Sequence, residues 1–546
     1  MDYKERYKNW CEGSGFDNRT KEELLAIIED NTEIKERFYK DLSFGTGGLR
    51  GIMGAGTNRM NSYTVKKATL GLANFIQSQK KANPSVVVAF DTRNNSQQFA
   101  EDVASVFSSL GIKTYLFDAP MPTPVLSYTV RHLQCDAGVV ITASHNPKEY
   151  NGYKVYDHNG GQLTPNNANE VTSFINQVTD FEWITSINSN PALIELIGAE
   201  ILDSFVGEIG RQSIFKGELN IVYTPIHGAG NIPVRQALTN YNVSVVKEQE
   251  LPDGNFSTVV SPNPEDKKAL QMAINQAIRE NADIVIGTDP DCDRIGVAVK
   301  HNEEFKLLTG NQIGALLVDF VTDNREVNAK STLVKTIVTN DLGANIASNK
   351  GLKILDTLTG FKYIGEKINE FEAAPDSDNE FVMGYEESYG YLIGTHARDK
   401  DAVVAAKLIC EMAAYYKTLG LSLMDRLQSI YGEYGYYMDV LDSVTLKGLD
   451  GATKIQTLMA ETRKLDNQFF KNIEAVKDYS VGIDGLPKED VIKFLLKDES
   501  WVAIRPSGTE PKIKIYYSIK ATDENVAQIK LEDIKLQIKQ NLDLEL

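Results

Sequence analysis

Residues 137–147 read Ala-Gly-Val-Val-Ile-Thr-Ala-Ser-His-Asn-Pro, an apolar β-branched run that stops abruptly in a polar turn. The pattern recurs twice. Ala282–Gly287 (ADIVIG) leads into Thr288–Arg294 (TDPDCDR), and Phe381–Gly384 leads into Gly384–Gly390 (GYEESYG). Short apolar runs without alternation suit strands covered on both faces. Each run is the third of a set. Ser85–Ala89, followed by Phe90-Asp91-Thr92-Arg93, and Ile112–Phe117 precede the first; Leu219–Tyr223 and Val243–Val246 precede the second; Thr332–Val338 and Leu352–Leu355 precede the third. Helical patterns such as Asp102–Leu110 and Lys267–Asn281 lie between them. Strands alternating with helices predict α/β domains with mainly parallel sheets. The sets start near 85, 219 and 332, a spacing well beyond the roughly 50 residues of solenoid repeats.

Working outward, the segment 446–546 differs. Helical sequence leads to the strand Ser500–Ile504, a turn, the strand Lys512–Ile519 and a last helix Asp523–Leu542, an α+β pattern. Lys21–Asp41, rich in Glu, Lys and Leu, is predicted helical. The chain of 546 residues suggests about three or four domains at roughly 150 residues each. The predicted domains are 1–205, 206–325 and 326–445, all α/β, and 446–546, α+β. Ligands of open α/β sheets sit beyond the carboxyl ends of the strands. Polar loops at those ends, together with Arg505–Pro511 (RPSGTEP), are therefore expected to share one central cleft.

Composition narrows the function. Hydrophobic residues make up 42% and charged residues 24%, which is globular. The net charge of −18 argues against coating nucleic acid and leaves an anionic small substrate open. No run approaches the ~18 apolar residues of a membrane span, and the charged opening has no secretory core. Cys11, Cys135, Cys292 and Cys410 are too scattered for a disulfide framework or zinc site. A cytoplasmic protein with no nucleic-acid or membrane partner is expected.

The loops carry the chemistry. Asp289, Asp291 and Asp293 place three carboxylates at alternate positions directly after a strand. Their repulsion is relieved by a hard divalent cation, and Mg²⁺ with a phosphate is the usual oxygen-rich solution. A calcium EF-hand needs Gly and Glu where Arg294 and Lys300 stand. A solvated acidic turn is the plain alternative; Arg294 could hold a phosphate. Ser144 lacks the GxSxG setting of a hydrolase nucleophile, and alone the Ser-His-Asn-Pro segment reads as a capped turn. Beside a magnesium site it becomes a candidate phosphate carrier. Glu386 and Ser388, two residues apart on extended backbone, would point the same way and suit vicinal sugar hydroxyls; a hydrogen-bonded strand end reads the same. Arg505, Ser507, Gly508 and Thr509, with Lys512 adding charge, suit a phosphate dianion, or a Pro-Ser-Gly turn.

Together these motifs resemble the α-D-phosphohexomutase superfamily, in particular its phosphoglucomutase/phosphopentomutase branch, over nearly the whole chain. Phe44–Gly51 (FGTGGLRG) resembles that family's opening active-site segment. The resemblance implies four domains around a cleft, in order a phosphoserine, a metal-binding, a sugar-binding and a phosphate-binding domain. It implies that Ser144 is the phosphoserine and that its phosphate with Asp289, Asp291 and Asp293 holds one Mg²⁺. Glu386 and Ser388 would read sugar hydroxyls, and Thr359 and Gly360 would form the sugar-facing loop. Arg505, Ser507, Gly508 and Thr509 would grip the non-reacting phosphate. His396 and Lys400 would contact substrate, while Arg50, His145 and Lys154 would lie near the reacting oxygen. The implied reaction interconverts glucose 1-phosphate and glucose 6-phosphate, with glucose 1,6-bisphosphate as intermediate and activator. Glu386-Glu387-Ser388-Tyr389 departs from the Glu-x-Ser-Gly-His of phosphoglucosamine mutases, which favours glucose phosphates. Pentose and mannose phosphates stay open, as do a sugar-bisphosphate synthase, a Mg²⁺-dependent sugar phosphatase and a non-catalytic sensor of sugar phosphates.

Overall fold

The computed structural model describes residues 2–45, 47–179, 184, 186–374, 376–446, 451–507 and 512–544. They form two compact units, one of Met1–Gly310 with Phe361–Gly420, the other of Asn311–Gly360 with Leu421–Leu546.

The first unit holds a six-stranded sheet in the order Leu49–Ile52, Tyr150–Asp157, Ala137–Ile141, Ser85–Phe90, Lys113–Phe117, Ile194–Ile197. The last four strands run parallel, as the apolar runs predict, with Ser85–Phe90 buried along nearly its whole length. Of the first two strands, only Tyr150–Asp157 runs the other way, antiparallel to both its neighbours. Tyr150–Asp157 turns back antiparallel against Ala137–Ile141, so residues 142–149 are a hairpin connection rather than a strand-to-helix turn. A five-stranded sheet repeats the plan. Ile284–Thr288 is parallel to Asn220–Thr224, and Ile295–His301 returns antiparallel, which makes the aspartate loop a hairpin too. Glu380–Glu386 and Gly390–Ile393 form a third such pair. The sheets therefore keep the expected parallel strands and add an antiparallel return strand after each polar loop.

Packing explains the rigidity behind these loops. Val86, Val88, Phe90, Val139, Ile141, Tyr153 and Val155 meet Phe99, Val103 and Phe107 from the helix Ser96–Ser109 in one core. Each such side chain contributes about 1.5–3 kcal/mol by leaving water. Helices start where local chemistry supplies a cap. Asn61 and Thr64 form a capping box on Ser62–Ser78, Asp266 caps Lys267–Glu280, and Asn281, left-handed at φ 51°, ends it. The single helix predicted over Lys21–Asp41 is instead two, Asn18–Leu25 and Asn31–Phe38. Asp30 accepts from the amides of Thr32 and Glu33, and this cap restarts the helix.

In the second unit, Ser331–Thr336 and Lys353–Thr357 pair parallel. A five-stranded antiparallel sheet runs Tyr436–Thr445, Lys512–Ala521, Trp501–Pro506, Ile492–Leu496, Ile473–Asp478, with the helix Glu524–Leu542 packed on it. The expected boundary at 446 falls after this sheet's first strand, which pairs with Lys512–Ala521 over ten residues. No described helix is long and apolar enough to cross a membrane.

Candidate active site

Three hairpin loops of the first unit converge around Ser144. Its residue has a left-handed backbone at φ 53°, and its amide donates to Thr142 Oγ1 at 2.9 Å. The hydroxyl donates to Asp289 Oδ2 at 2.9 Å and lies 3.1 Å from His145 Nδ1. Ser144 has one proton to give. With that proton on Asp289, the second contact requires a Nδ1-protonated, neutral His145. Burial, with the charges of Arg294 and Arg50, pushes the imidazole well below its ordinary range and favours that neutral form.

The aspartates sit where the sequence placed them. Cys292, at φ 51°, kinks the chain so that carboxylate oxygens of Asp289, Asp291 and Asp293 lie within 4.8 Å of one another, all buried. Asp289 Oδ1 accepts from the amides of Asp293 and Arg294. Asp291 Oδ2 accepts from Thr123 Oγ1 and Lys154 Nζ, both at 2.8 Å. Asp293 Oδ2 faces Lys400 at 3.2 Å and Lys154 at 3.4 Å. Burial and the two neighbouring carboxylates push Asp289 well up; at Asp293 burial is outweighed by Lys400, Lys154 and Arg294, which hold it well below the carboxylate range. Asp291 Oδ1 and Asp293 Oδ1 are buried without a hydrogen-bond partner. Two orphaned anionic oxygens beside a third carboxylate fit a hard metal ion.

Lysines complete the site. Lys154 comes from the returning strand Tyr150–Asp157, and Lys400 follows Asp399, whose Oδ1 accepts from the Lys400 amide and lies 3.0 Å from its Nζ. Asp399 is itself held by Tyr156 at 2.6 Å and Gln162 at 2.8 Å. Gly390 makes room for the lysine, since a Cβ there would stand 2.1 Å from Lys400 Cδ. Burial pushes Glu386 up to about 7 against the pull of Lys400. Arg50, on the strand Leu49–Ile52, donates to Asn146 Oδ1 at 3.1 Å. Gly48, at φ 76° just before that strand, leaves no space for a side chain, because a Cβ would lie 1.8 Å from the Tyr153 carbonyl oxygen.

Some expectations shift. Glu386 ends its strand and pairs with Gly390, so Ser388 lies in the turn between them, with Tyr389 at φ 61°. The two side chains are not on one extended face, because the hairpin closes too tightly. Arg294 is engaged by Glu265 at 2.6 Å. His396 turns to Asp401, 2.7 Å away, and packs edge-on against Phe205. Thr359, Gly360 and Arg505 belong to the second unit, where Arg505 donates to the Thr359 hydroxyl and lies 3.8 Å from Glu489. The Ser507 amide donates to the Lys512 carbonyl at 2.8 Å, which closes the loop's base. Gly508 and Thr509 lie outside the described residues.

Residues the motifs did not single out include Asp91, Arg93, Thr123, Glu265 and Asp399. Only Asp91 and Arg93 carried a signal, their place at the carboxyl end of the first strand.

Models of the Phosphoglucomutase/phosphomannomutase family match residues 41–182, 202–303 and 309–434 as its alpha/beta/alpha domains I, II and III, and 455–535 as its C-terminal domain. A phosphoglucomutase of Staphylococcus haemolyticus is 38% identical over 532 residues, spanning 92% of this chain and 96% of its own. One from Staphylococcus aureus is 37% identical over 523 residues, spanning 92% and 94%. Among solved structures, Paramecium parafusin, a phosphoglucomutase, matches with a TM-score of 0.72 at 17% identity over 92% of this chain and 96% of that one. A putative phosphomannomutase from Thermus thermophilus matches with a TM-score of 0.68 at 21% identity, over 92% and 99%. These two likenesses concern the fold.

Proposed function

The chain belongs to the phosphoglucomutase/phosphomannomutase family, and on that basis we propose that it interconverts glucose 1-phosphate and glucose 6-phosphate through phospho-Ser144 and a retained glucose 1,6-bisphosphate. One observation carries the reading: the Ser144 hydroxyl is buried 2.9 Å from Asp289, inside a triad with two unsatisfied carboxylate oxygens. A hydrolytic serine gives its proton to a base, whereas this hydroxyl donates to Asp289 and its histidine neighbour meets it from an Nδ1-protonated edge, a setting in which a phosphoryl group can be held.

The assigned chemistry is an in-line exchange. The bond from Ser144 Oγ to phosphorus breaks as the free sugar hydroxyl bonds to phosphorus and loses its proton, a proton returning to the Ser144 oxygen; the second half reverses this with the other phosphate. Asp289, Asp291 and Asp293, with the Ser144 oxygen or its phosphate, would hold one Mg²⁺, whose contribution is to neutralise phosphoryl charge. Lys154 and Lys400 add fixed positive charge beside the same carboxylates. Neutral His145 and Arg50 are assigned to the reacting oxygen, Glu386, Ser388 and His396 to the sugar, and Arg294 to charge balance. Thr359, Gly360, Arg505, Ser507, Gly508, Thr509 and Lys512 are assigned to the sugar loop and the non-reacting phosphate. Burial of Ser144 keeps water from its phosphate.

The test is a panel of glucose, mannose, glucosamine and pentose phosphates with Mg²⁺ and a trace of glucose 1,6-bisphosphate, run beside intact-mass analysis of Ser144. Glucose phosphates should be turned over fastest, with bisphosphate recovered. Ser144→Ala should lose turnover by about 10³-fold or more. Full activity in Ser144→Ala, or net consumption of bisphosphate, overturns the reading.

A further inference from the structure

The loop that carries Ser144 bonds sparingly to its own backbone, and beside Ser261, which donates to the His145 carbonyl, one buried guanidinium supplies most of its side-chain donors. Residues 142–149 join two antiparallel strands. Within this stretch the carbonyls of Ser144 and Asn146 accept from Arg93 Nη2. The carbonyls of Pro147, at 2.9 Å, and Tyr150, at 3.2 Å, accept from Arg93 Nη1. The Arg93 side chain is fully buried, and its guanidinium lies 5.0 Å from the Phe256 ring centre.

The fork is fixed in turn. Asp91 faces Arg93 at 3.3 Å and accepts from Thr142 Oγ1 at 2.6 Å, Ser96 Oγ at 2.7 Å and the Arg93 amide at 2.9 Å. The same Thr142 oxygen accepts from the Ser144 amide. Two routes therefore run from the end of the strand Ser85–Phe90 to both sides of residue 144, one through the Asp91–Thr142 hydrogen bond and one through the Asp91–Arg93 ion pair. They meet at a left-handed serine, a conformation that L-residues avoid unless the surroundings impose it.

We propose that Arg93 is a positioning residue for phosphoryl transfer: its fork over three loop carbonyls and that of Tyr150 fixes the backbone of Ser144, and hence the direction of Oγ, while its charge lies behind the loop that bears the phosphate. The inference rests on the reading of Ser144 as phosphate carrier. Arginine is required by the geometry. A lysine brings the charge but cannot meet four carbonyls from one planar group. A misplacement of about 1 Å in a reacting atom costs on the order of a hundredfold in rate.

The experiment compares wild type with Arg93→Lys. Each is incubated with glucose 1,6-bisphosphate, Ser144 phosphate is followed by intact mass, and kcat, KM and Mg²⁺ affinity are measured. The phosphorylation rate and kcat should fall about a hundredfold, with KM and Mg²⁺ affinity changed by no more than about twofold. A merely structural role would lower the melting temperature and leave kcat per folded molecule intact; that outcome, or wild-type phosphorylation kinetics in Arg93→Lys, overturns the proposal. If Arg93→Lys does not fold, Asp91→Asn carries the test. It loses the charge that orients the fork, and kcat should drop about tenfold at constant KM, unchanged kcat being contrary. Should wild-type Ser144 take no phosphate at all, the carrier reading falls and this role with it, a result distinct from Arg93→Lys behaving as wild type.

Discussion

Lys154 Nζ lies 2.8 Å from Asp291 Oδ2 and 3.4 Å from Asp293 Oδ2, so the acidic triad carries a counter-cation supplied from 137 residues away. Burial pulls the ammonium's pKa down, but Asp291 and Asp293 outweigh it and keep it charged. Lys154→Ala should therefore bind Mg²⁺ more tightly, by about tenfold, because a positive charge beside the three carboxylates is gone. Its kcat should fall by about a hundredfold as the transferring phosphoryl group loses a cation. Calorimetry and steady-state rates check both, and weaker metal binding would contradict the assignment.

Asp291 ties the carboxylate triad to Thr123 as well as offering an oxygen without a hydrogen-bond partner. Chelator should abolish activity and Mg²⁺ restore it. Asp291→Asn should weaken Mg²⁺ binding by at least about tenfold, since one of three charges is lost. Cys292→Ser should leave Mg²⁺ affinity nearly unchanged, because a hard cation prefers oxygen to sulfur. A titration of activity against Mg²⁺ for the three proteins separates these outcomes.

Burial first, with Glu387 and Asp399, pushes the Glu386 carboxyl up from 4.5 to about 7 against the opposing charges of Lys400 and Arg294. A carboxyl raised on folding binds more protons in the native state, so stability is present below the unfolded value and is lost as pH rises from about 4.5 to about 7. The loss is on the order of 3 kcal/mol. Thermal melts of wild type should fall across that window relative to Glu386→Gln, in which the carboxyl is absent. Parallel pH profiles for the two proteins would refute this.

In the second unit, Arg505 donates to Thr359, and Thr359 Oγ1 also lies 3.2 Å from Glu489 Oε1. A guanidinium held this way by a hydroxyl and a carboxylate is oriented but not sealed by a tight ion pair. Arg505→Ala should lower kcat/KM about a hundredfold in both reaction directions, since the non-reacting phosphate is present in both. Mg²⁺ affinity should stay as in wild type. A defect confined to one direction, or to metal binding, would show a different role.

Local sequence carries the strands that lead into the site and the residue types at their ends. Ala137–Ile141 and Ile284–Thr288 are buried on both faces, so they are written almost wholly in apolar residues. The loops after them stand out because Ser144 and the three aspartates are polar where the pattern calls for a core. The returning strands are written differently. Tyr150–Asp157 (YNGYKVYD) contains Asn, Gly and Lys, residues that disfavour strands, and its burial pattern does not alternate. Asn151 is buried because it donates to Ser96 and the Asn94 carbonyl, and Lys154 because the aspartates neutralise it. Those partners come from other loops. Arg93 meets carbonyls 51 to 57 residues on, Thr123 meets Asp291 across 168 residues, and Tyr156 meets Asp399 across 243. A periodicity of two or 3.6 reports only which face of one element is dry. Which buried charge answers which depends on where strands from distant parts of the chain end, and packing alone brings those ends together.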